Sequence, residues 1–512
     1  MGVNISKIKS KLGFILKANN LIYLALFLAA FFSKIIFIIN GRFATDTIAT
    51  SYSGYQDAAS GIIGSNGRFI FALFIKIAAI LKLELVSLNK ISLIFGLAIS
   101  SIVVILIYRK ISKQTELNNK DPILRIGVVL GLVYFLVSPL TLENYLFIET
   151  MVMQMSVLFA ILSVEFIDFD SFRLFNLKEA FFSILMLALA INSYQPSMGV
   201  AIVYLGWIIL LKNNFDYRKV FNRVDIYVIC RYLLYFIATI MSTIIIYKFL
   251  IHVQRVDQLN LKALFQISTY KQITILIRSV YFKYTLPLLA SFLTLAVLSF
   301  VSYRFSDFLK KIIIPITLLN LVGVLCTIIL PLLTKNQIVE LRMLIPIAFS
   351  LSLSLVLLML SITNSPGYVK KVGVLIMVIL VAINTIVSLR WQIASVNNNR
   401  ADRDWSHRVS SYIRNHGGIN SAVYFRDASV TNYSGDLVGD TQVIYALNVR
   451  AAVTDWSTIE SLYFYDNLYL KKDNPKDARF ASYKDYCGSR DWNQFANDQI
   501  KFSDNTAIIC IY

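Results

Sequence analysis

One polar stretch, residues 41–68, lies between two apolar segments and holds side chains that could do chemistry. Its ionisable and aromatic candidates are Asp46, Asp57, Arg68, Tyr52 and Tyr55. A carboxylate can act as a general base toward a hydroxyl group, and tyrosine rings offer flat apolar faces for stacking on a sugar. The stretch is rich in Gly and Ser and shows neither helical nor strand periodicity, and long loops of this kind are often functional. These residues by themselves suit either a solvated linker loop or a sugar-binding site.

Further ionisable candidates lie at the ends of later apolar runs. Glu143 and Glu149 flank a short apolar turn, and Arg342 opens an apolar run a few residues after Lys335. Ionisable groups at this depth are costly and usually face a cavity, although a carboxylate can also snorkel to the membrane interface. An arginine in this position could hold a lipid-linked phosphate by bidentate hydrogen bonding, or could anchor to ordinary lipid phosphates.

The composition indicates what kind of scaffold positions these side chains. Of 512 residues, 57% are apolar and 15% are charged, against about 25% charged in ordinary soluble domains. Residues 1–389 hold 35 basic and 16 acidic side chains, whereas residues 390–512 hold 14 of each. The whole net charge of +19 therefore belongs to the apolar part, as in integral membrane proteins whose Lys and Arg set the topology. A nucleic-acid-binding domain, a disordered chain and a collagen-like chain are excluded.

Apolar runs of about 20 residues, the length that crosses a bilayer, recur throughout residues 1–389. We predict about eleven spans, at 21–40, 91–108, 123–141, 150–167, 179–193, 197–212, 226–250, 284–303, 312–330, 343–361 and 372–389. The segment 69–89 is nearly long enough to be another, but Lys76, Lys82 and Glu84 interrupt it, which favours a helix on the membrane surface. The predicted fold is an all-α polytopic membrane domain, 1–389, with its first outer loop at 41–90, followed by a small α/β domain, 390–512.

The distribution of Lys and Arg among the connecting loops predicts the orientation. With the N terminus in the cytoplasm, the inner loops carry most of the basic side chains, whereas the short outer loops 142–149 and 194–196 carry none. This asymmetry is the positive-inside pattern. An odd number of spans then places residues 390–512 outside, as a periplasmic domain if the membrane is a bacterial inner membrane.

The C-terminal part has the pattern of a small α/β domain. Residues 401–416 suit a helix that ends at Gly417, and 421–425 and 443–447 are short β-type runs. The last fourteen residues suggest two strands around a turn at 503–505. Cys487 and Cys510 would pair in an oxidising compartment and would otherwise be two free thiols.

Several classes of site leave no signature in the sequence. The three His residues are scattered, the Cys spacing is not that of a metal ribbon, and a Walker loop, a dinucleotide fingerprint and a Gly-x-Ser-x-Gly elbow are all missing. We therefore expect a reaction that requires no nucleotide and no cofactor, and a divalent metal is not indicated.

Short motifs occur in a characteristic order along the chain. They are Thr45–Asp46, the Ser-Tyr-x-Gly-Tyr run 51–55, Asn66–Gly67–Arg68, the turn Ser193–Tyr194–Gln195–Pro196–Ser197, and the Arg-x-x-x-Pro run from Arg342 to Pro346. With this layout the chain resembles the GtrII-type glucosyltransferases, the serotype-converting enzymes of O-antigen modification, within the polytopic glycosyltransferases of the C-type fold. Members of that family often show two adjacent acidic residues in the first outer loop. Here Asp46 stands alone after Thr45, which leaves Asp57 as a rival.

The resemblance implies a donor, an acceptor and a set of roles. The donor would be undecaprenyl-phosphate glucose on the periplasmic face, and the acceptor a sugar hydroxyl of O-antigen lipopolysaccharide, with inversion at the anomeric carbon. Catalytic candidates are Asp46 as general base, then Asp57 and Glu149. Substrate-binding candidates are Arg68, Tyr52, Tyr55, Glu143, Tyr194, Gln195, Arg342 and Lys335.

The same resemblance implies partner proteins in a pathway, and other functions remain as alternatives. A donor flippase and a polyprenyl-phosphate glucosyltransferase would work in the same pathway. Alternative functions are an O-antigen polymerase or ligase, and a flippase or transporter of lipid-linked sugars. A transporter usually shows internal repeats and helices broken near mid-membrane, and no repeat is visible in this sequence.

Overall fold

The protein is described here from a computed structural model that covers residues 18–512, except 118–120, 172, 174, 255–285, 304, 333–339, 427–446, 448, 455, 489–496 and 512. The helices of the apolar part are α1 Ala18–Phe32, α2 Ile35–Asn40, α3 Thr45–Asn66, α4 Phe69–Ile80, α5 Leu85–Thr115, α6 Pro122–Val137, α7 Thr150–Glu165, α8 Leu177–Ser193, α9 Met198–Lys212, α10 Arg223–Ile245, α11 Leu286–Ser302, α12 Phe305–Phe308, α13 Ile314–Leu332, α14 Ile345–Ser361 and α15 Gly367–His416. The C-terminal elements that follow are β1 Ser421–Arg426, α16 Thr458–Asp466, β2 Lys471–Lys472, α17 Ala481–Gly488, β3 Ile500–Ser503 and β4 Thr506–Ile511.

The described helices make this a mostly helical, membrane-embedded protein, but they do not show eleven spans. Six helices are long and apolar enough to cross a membrane, or up to eight if two bent helix pairs each count as one span. The predicted span 150–167 corresponds to α7, whose 16 residues reach only about 24 Å at 1.5 Å per residue, short of a bilayer core of about 30 Å. The predicted span 284–303 begins outside the described residues.

The first predicted span, 21–40, is broken between α1 and α2, and the chain bends there by 57° before it continues into α3. Lys34 lies at the break and is fully buried. Its Nζ donates to the backbone carbonyl of Leu136 at 2.8 Å and lies 4.7 Å from the centre of the Tyr145 ring. The bend therefore gives a buried ammonium group a polar partner, which a straight apolar span could not supply.

The prediction that 41–68 is an irregular loop is wrong, because most of it is the helix α3. Gly54 has φ 79° and ψ 165°, which puts a kink inside α3, and Gly67 ends the helix in the left-handed conformation. A cluster of buried side chains from α3 and its neighbours α4, α5 and α7 includes Ala59, Phe71 and Val152. Tertiary packing of α3, which buries Ile48 and Ala59, overrides the weak helical propensity of a Gly- and Ser-rich segment. Residues 69–89 likewise divide between α4 and the start of α5.

Close helix packing in the apolar part depends on small residues. Gly127 and Gly131 lie four residues apart on α6 and face α14. A Cβ at Gly127 would stand 2.2 Å from Met359, and one at Gly131 would stand 2.8 Å from the side chain of Val356 and 3.2 Å from its backbone nitrogen. This is the small-xxx-small spacing that lets two membrane helices approach each other closely.

The C-terminal elements build a small sheet onto the end of α15. This helix runs without interruption through position 389, where the predicted domain boundary lies, to the predicted end at Gly417. The sheet of the described residues has the order β2-β1-β4-β3, with β1 parallel to β2 and β4, and β3 antiparallel to β4. Trp405, Val409 and Ile413 of α15 pack against it. The predicted strand 443–447 lies almost entirely outside the described residues.

The two predicted cysteine partners lie in this domain. Cys487 of α17 and Cys510 of β4 form a disulfide with an S–S distance of 1.97 Å. The bond joins the helix to the central parallel pair of strands, so it holds the C-terminal strand in the sheet.

Candidate functional site

Six of the predicted site residues meet where the helical bundle contacts the C-terminal domain. They are Asp46, Arg68, Glu143, Glu149, Tyr194 and Arg342. They come from five separate parts of the chain: the start of α3, the start of α4, the turn between α6 and α7, the turn between α8 and α9, and the turn before α14.

Arg68 and Glu149 form an ion pair shielded from solvent. Nη1 of Arg68 donates to both carboxylate oxygens of Glu149, at 2.8 and 3.0 Å, and each side chain is 9% exposed. The guanidinium lies 5.0 Å from the centre of the Tyr194 ring. Nε of Arg68 and the Tyr194 hydroxyl are both buried, and neither has a hydrogen-bond partner among the described residues. Two donors at this site are therefore unsatisfied among the described residues.

The backbone just before Arg68 is held by a glycine and a tyrosine. Gly67 has φ 67°, and a Cβ there would stand 2.5 Å from the ring of Tyr247. The Tyr247 hydroxyl donates to the carbonyl oxygen of Gly67 at 2.6 Å and lies 2.9 Å from Oδ1 of Asn192. Only glycine fits both the left-handed backbone and the close approach, so Gly67 fixes the position from which Arg68 starts.

Arg342 is the second guanidinium and is shared between two carboxylates. Its backbone N–H donates to Oε2 of Glu143 at 3.2 Å, and its Nε lies 3.6 Å from the other oxygen of Glu143. The same Nε donates to Glu340. The guanidinium stacks on the Phe147 ring, 4.5 Å from the ring centre. Glu143 is 1% exposed, whereas the Glu340 side chain is 34% exposed, so Glu340 is the partner that can turn away.

Asp46 is the open carboxylate of the group. It is exposed, although the surrounding protein desolvates it and it lies within electrostatic reach of Arg342, Glu149 and Glu340. Asp46 therefore keeps solvent-accessible surface next to the paired charges of the site. One oxygen, Oδ1, accepts a hydrogen bond from the indole N–H of Trp456 at 3.0 Å. The other oxygen is left for a proton from a ligand.

A buried arginine from the turn before α3 holds the backbone of this site. Arg42 is 1% exposed and donates to the backbone carbonyls of Tyr145 and Phe147 and to the hydroxyl of Thr150. It also donates to the backbone and side-chain oxygens of Asn89 at 2.9 Å each. Because these carbonyls lie between Glu143 and Glu149, Arg42 sets the spacing of the two acidic residues.

The remaining predicted residues lie elsewhere. Tyr52 contacts the C-terminal domain, and its hydroxyl donates to the Leu470 carbonyl at 2.8 Å. The Tyr55 hydroxyl donates to the Leu83 carbonyl at 2.7 Å, on the side of α4. Asp57 is exposed on α3 beyond the kink, and Gln195 is half-buried next to Tyr194. Lys335 lies outside the described residues.

Three residues of the site were not predicted to act in it. Trp456 follows Asp46 by 410 positions, so no local pattern connects them. Arg42 and Glu340 carry a weak signal, since each is an isolated charge next to an apolar run. Such charges are expensive in a membrane unless they are paired or hydrogen-bonded. In the structure Glu340 is paired with Arg342, and Arg42 is hydrogen-bonded to neutral oxygens.

The site holds more acidic than basic side chains. Four carboxylates, of Asp46, Glu143, Glu149 and Glu340, face the guanidinium groups of Arg68 and Arg342. Within the described residues, His, Cys, Asp and Glu form no group of three or more suited to a metal ion. The arrangement offers one open base, two fixed cations and two hydrogen-bond donors that are unsatisfied among the described residues.

Comparison of this chain with family models, curated proteins and solved structures gives no match.

Proposed function

We propose that this chain is a membrane glycosyltransferase that moves glucose or another hexose from an undecaprenyl-phosphate sugar to a hydroxyl of an O-antigen or lipopolysaccharide acceptor on the periplasmic face. One observation carries the proposal: Asp46 is exposed beside Arg342, whereas Glu143 and Glu149 are buried in ion pairs. A free carboxylate next to fixed guanidinium groups suits transfer of a group from phosphate to a hydroxyl.

In the proposed reaction, Asp46 acts as the general base. Its free oxygen takes the proton of the acceptor hydroxyl while the hydroxyl oxygen bonds to the anomeric carbon of the donor sugar. The bond between that carbon and the phosphate oxygen breaks, and its electron pair leaves with the phosphate. Attack from the face opposite the phosphate inverts the anomeric centre. General-base assistance of this kind contributes roughly 10²- to 10⁴-fold.

The leaving phosphate needs positive charge more than it needs a proton donor. Arg342 and Arg68 would neutralise the charge that develops on it. Both are paired with carboxylates in this structure, so the phosphate must replace one of those partners. Glu340 is the more exposed partner of Arg342 and is the one expected to give way. The unpaired hydroxyl of Tyr194 would then donate to a phosphate oxygen.

The test compares two aspartates on the same helix. Asp46→Asn keeps the size and the hydrogen bond to Trp456 but removes the base, whereas Asp57→Asn alters an exposed aspartate beyond the kink. Each variant is purified in full length and given undecaprenyl-phosphate [¹⁴C]glucose and lipopolysaccharide from cells lacking the protein. We expect Asp46→Asn to lose roughly 10²- to 10⁴-fold in kcat and Asp57→Asn to match the unsubstituted protein.

Two results would contradict the proposal. Full activity of Asp46→Asn would remove Asp46 from the mechanism. Transfer that is undetectable with the unsubstituted protein for every undecaprenyl-phosphate hexose tried would reject the reaction itself.

A further inference from the structure

A set of aromatic side chains lies next to Asp46, along the line where α3 contacts α16. At one end of this line, the indole N–H of Trp456 donates a hydrogen bond to Asp46. Six residues further along α3, about 9 Å at the rise of a helix, the Tyr52 ring meets the rings of Tyr463 and Tyr469. Trp456 is 45% exposed and Tyr469 is 62% exposed, so both present aromatic surface to solvent.

The tyrosines hold one another in a fixed arrangement. The rings of Tyr52 and Tyr469 are stacked with centres 4.9 Å apart and an interplanar angle of 8°. The Tyr463 ring stands edge-on to both, at 6.1 and 6.0 Å. The outer face of Tyr469 is therefore a rigid flat surface that is left uncovered.

A polar group lies beside these rings with an unused hydrogen-bonding atom. Glu460 is 7% exposed, and one carboxylate oxygen lies 3.5 Å from Nζ of Lys472. The other oxygen, Oε2, is buried and has no hydrogen-bond partner among the described residues. Glu460 lies within electrostatic reach of Tyr52. An acceptor atom of this kind suits a sugar hydroxyl.

We propose that Trp456, Tyr52, Tyr463 and Tyr469, with Glu460 at their side, form a subsite that binds sugar rings of the acceptor polysaccharide and leads them to Asp46. The inference rests on the proposed function for the role of Asp46. A sugar ring has an apolar C–H face that stacks on aromatic rings and a polar rim that hydrogen-bonds to flanking groups.

The other chemistry that exposed aromatics can serve is anchoring in the membrane interface. An interfacial anchor directs its N–H or O–H group toward headgroups and water. Here the indole N–H of Trp456 is bonded to a site carboxylate and the hydroxyl of Tyr52 is bonded to a backbone carbonyl. These partners favour a ligand subsite over an anchor.

The test measures acceptor binding separately from transfer. Polysaccharide released from lipopolysaccharide by mild acid is titrated onto the full-length Asp46→Asn protein without donor. The Kd of this variant is compared with the Kd of the double variant that also carries Tyr469→Ala. Loss of one stacking surface should raise the Kd by about 2- to 12-fold. When Tyr469→Ala is made in the active protein, the KM for acceptor should rise by the same factor, about 2- to 12-fold. Tyr469→Phe keeps the ring face and should restore both values.

Two further variants define the roles. Trp456→Phe keeps an aromatic face but removes the N–H that orients Asp46, so we expect it to lower kcat more than it raises KM. Tyr412→Ala is the matched control, because Tyr412 is half-buried and stacks on Phe502 in the same domain, 5.8 Å between ring centres, away from Asp46. It should leave Kd and KM unchanged.

Each outcome decides one point. Unchanged Kd and KM in Tyr469→Ala, with transfer still dependent on Asp46, would overturn the subsite and leave the proposed function standing. Polysaccharide binding that depends on Tyr469 without any transfer would support the subsite and reject the glycosyltransferase. A clear fall in brominated-lipid quenching of the protein fluorescence in Trp456→Phe, with the KM for acceptor unchanged in Tyr469→Ala, would identify a membrane anchor instead.

Discussion

The clearest structural prediction concerns Gly67, which places Arg68 in the site. Gly67→Ala must hold an L-residue at φ 67°, which costs about 1–2 kcal/mol. Its new Cβ would also stand 2.5 Å from the Tyr247 ring, and relief of such overpacking costs about 1–3 kcal/mol. We therefore expect Gly67→Ala to lower the free energy of unfolding by about 2–5 kcal/mol.

A double-mutant cycle separates the two contributions. In a Tyr247→Ala background the ring is gone, so Gly67→Ala should cost only its backbone strain, about 1–2 kcal/mol. The difference, a coupling of about 1–3 kcal/mol, is the clash. Gly54→Ala is the matched control, because Gly54 also has a positive φ, 79°, but a Cβ there meets nothing within 4 Å. Its effect should add to that of Tyr247→Ala within about 0.5 kcal/mol.

The assay is equilibrium unfolding of the purified protein in mixed micelles, followed by intrinsic fluorescence. The reasoning is refuted if Gly67→Ala costs the same with and without the Tyr247 ring, because the predicted contact would then not exist. It is equally refuted if the Gly54 control shows the larger coupling to Tyr247.

Three further predictions address packing, crosslinking and charge. Gly131→Ala should destabilise the helical part by about 1–3 kcal/mol through its contact with Val356, whereas Gly206→Ala, where a Cβ meets nothing within 4 Å, should not, by the same unfolding assay. Cys487→Ala opens a disulfide between residues 23 positions apart and should cost the C-terminal domain about 3 kcal/mol in the chain-entropy model, measured by protease resistance. Burial raises the pKa of the Glu460 carboxyl, against the opposing effects of backbone hydrogen bonds and of Lys472. The folded state therefore disfavours its ionisation, so stability should fall as pH rises through that pKa, and Glu460→Gln should weaken this fall in unfolding measured against pH.

Much of the architecture could be predicted because it depends on local composition. A helix that crosses a bilayer needs about 20 consecutive apolar residues, and a β-turn depends on its own few residues. The helical class, the strands around 503–505 and the end of α15 at Gly417 could therefore be predicted from local sequence. The number of spans is harder to predict from local sequence. A buried charge such as Lys34 breaks an apolar run only when a partner like the Leu136 carbonyl is in reach.

The sequence by itself determined which residue types were available for chemistry: a carboxylate at 46, acids at 143 and 149, and arginines at 68 and 342. Only the tertiary structure decided which of them are paired and which is open. The reason is that helix packing brings together turns more than 190 positions apart, as for Arg342 and Glu143. The same packing places Trp456 on Asp46, a contact between two surfaces that no periodicity within either segment encodes.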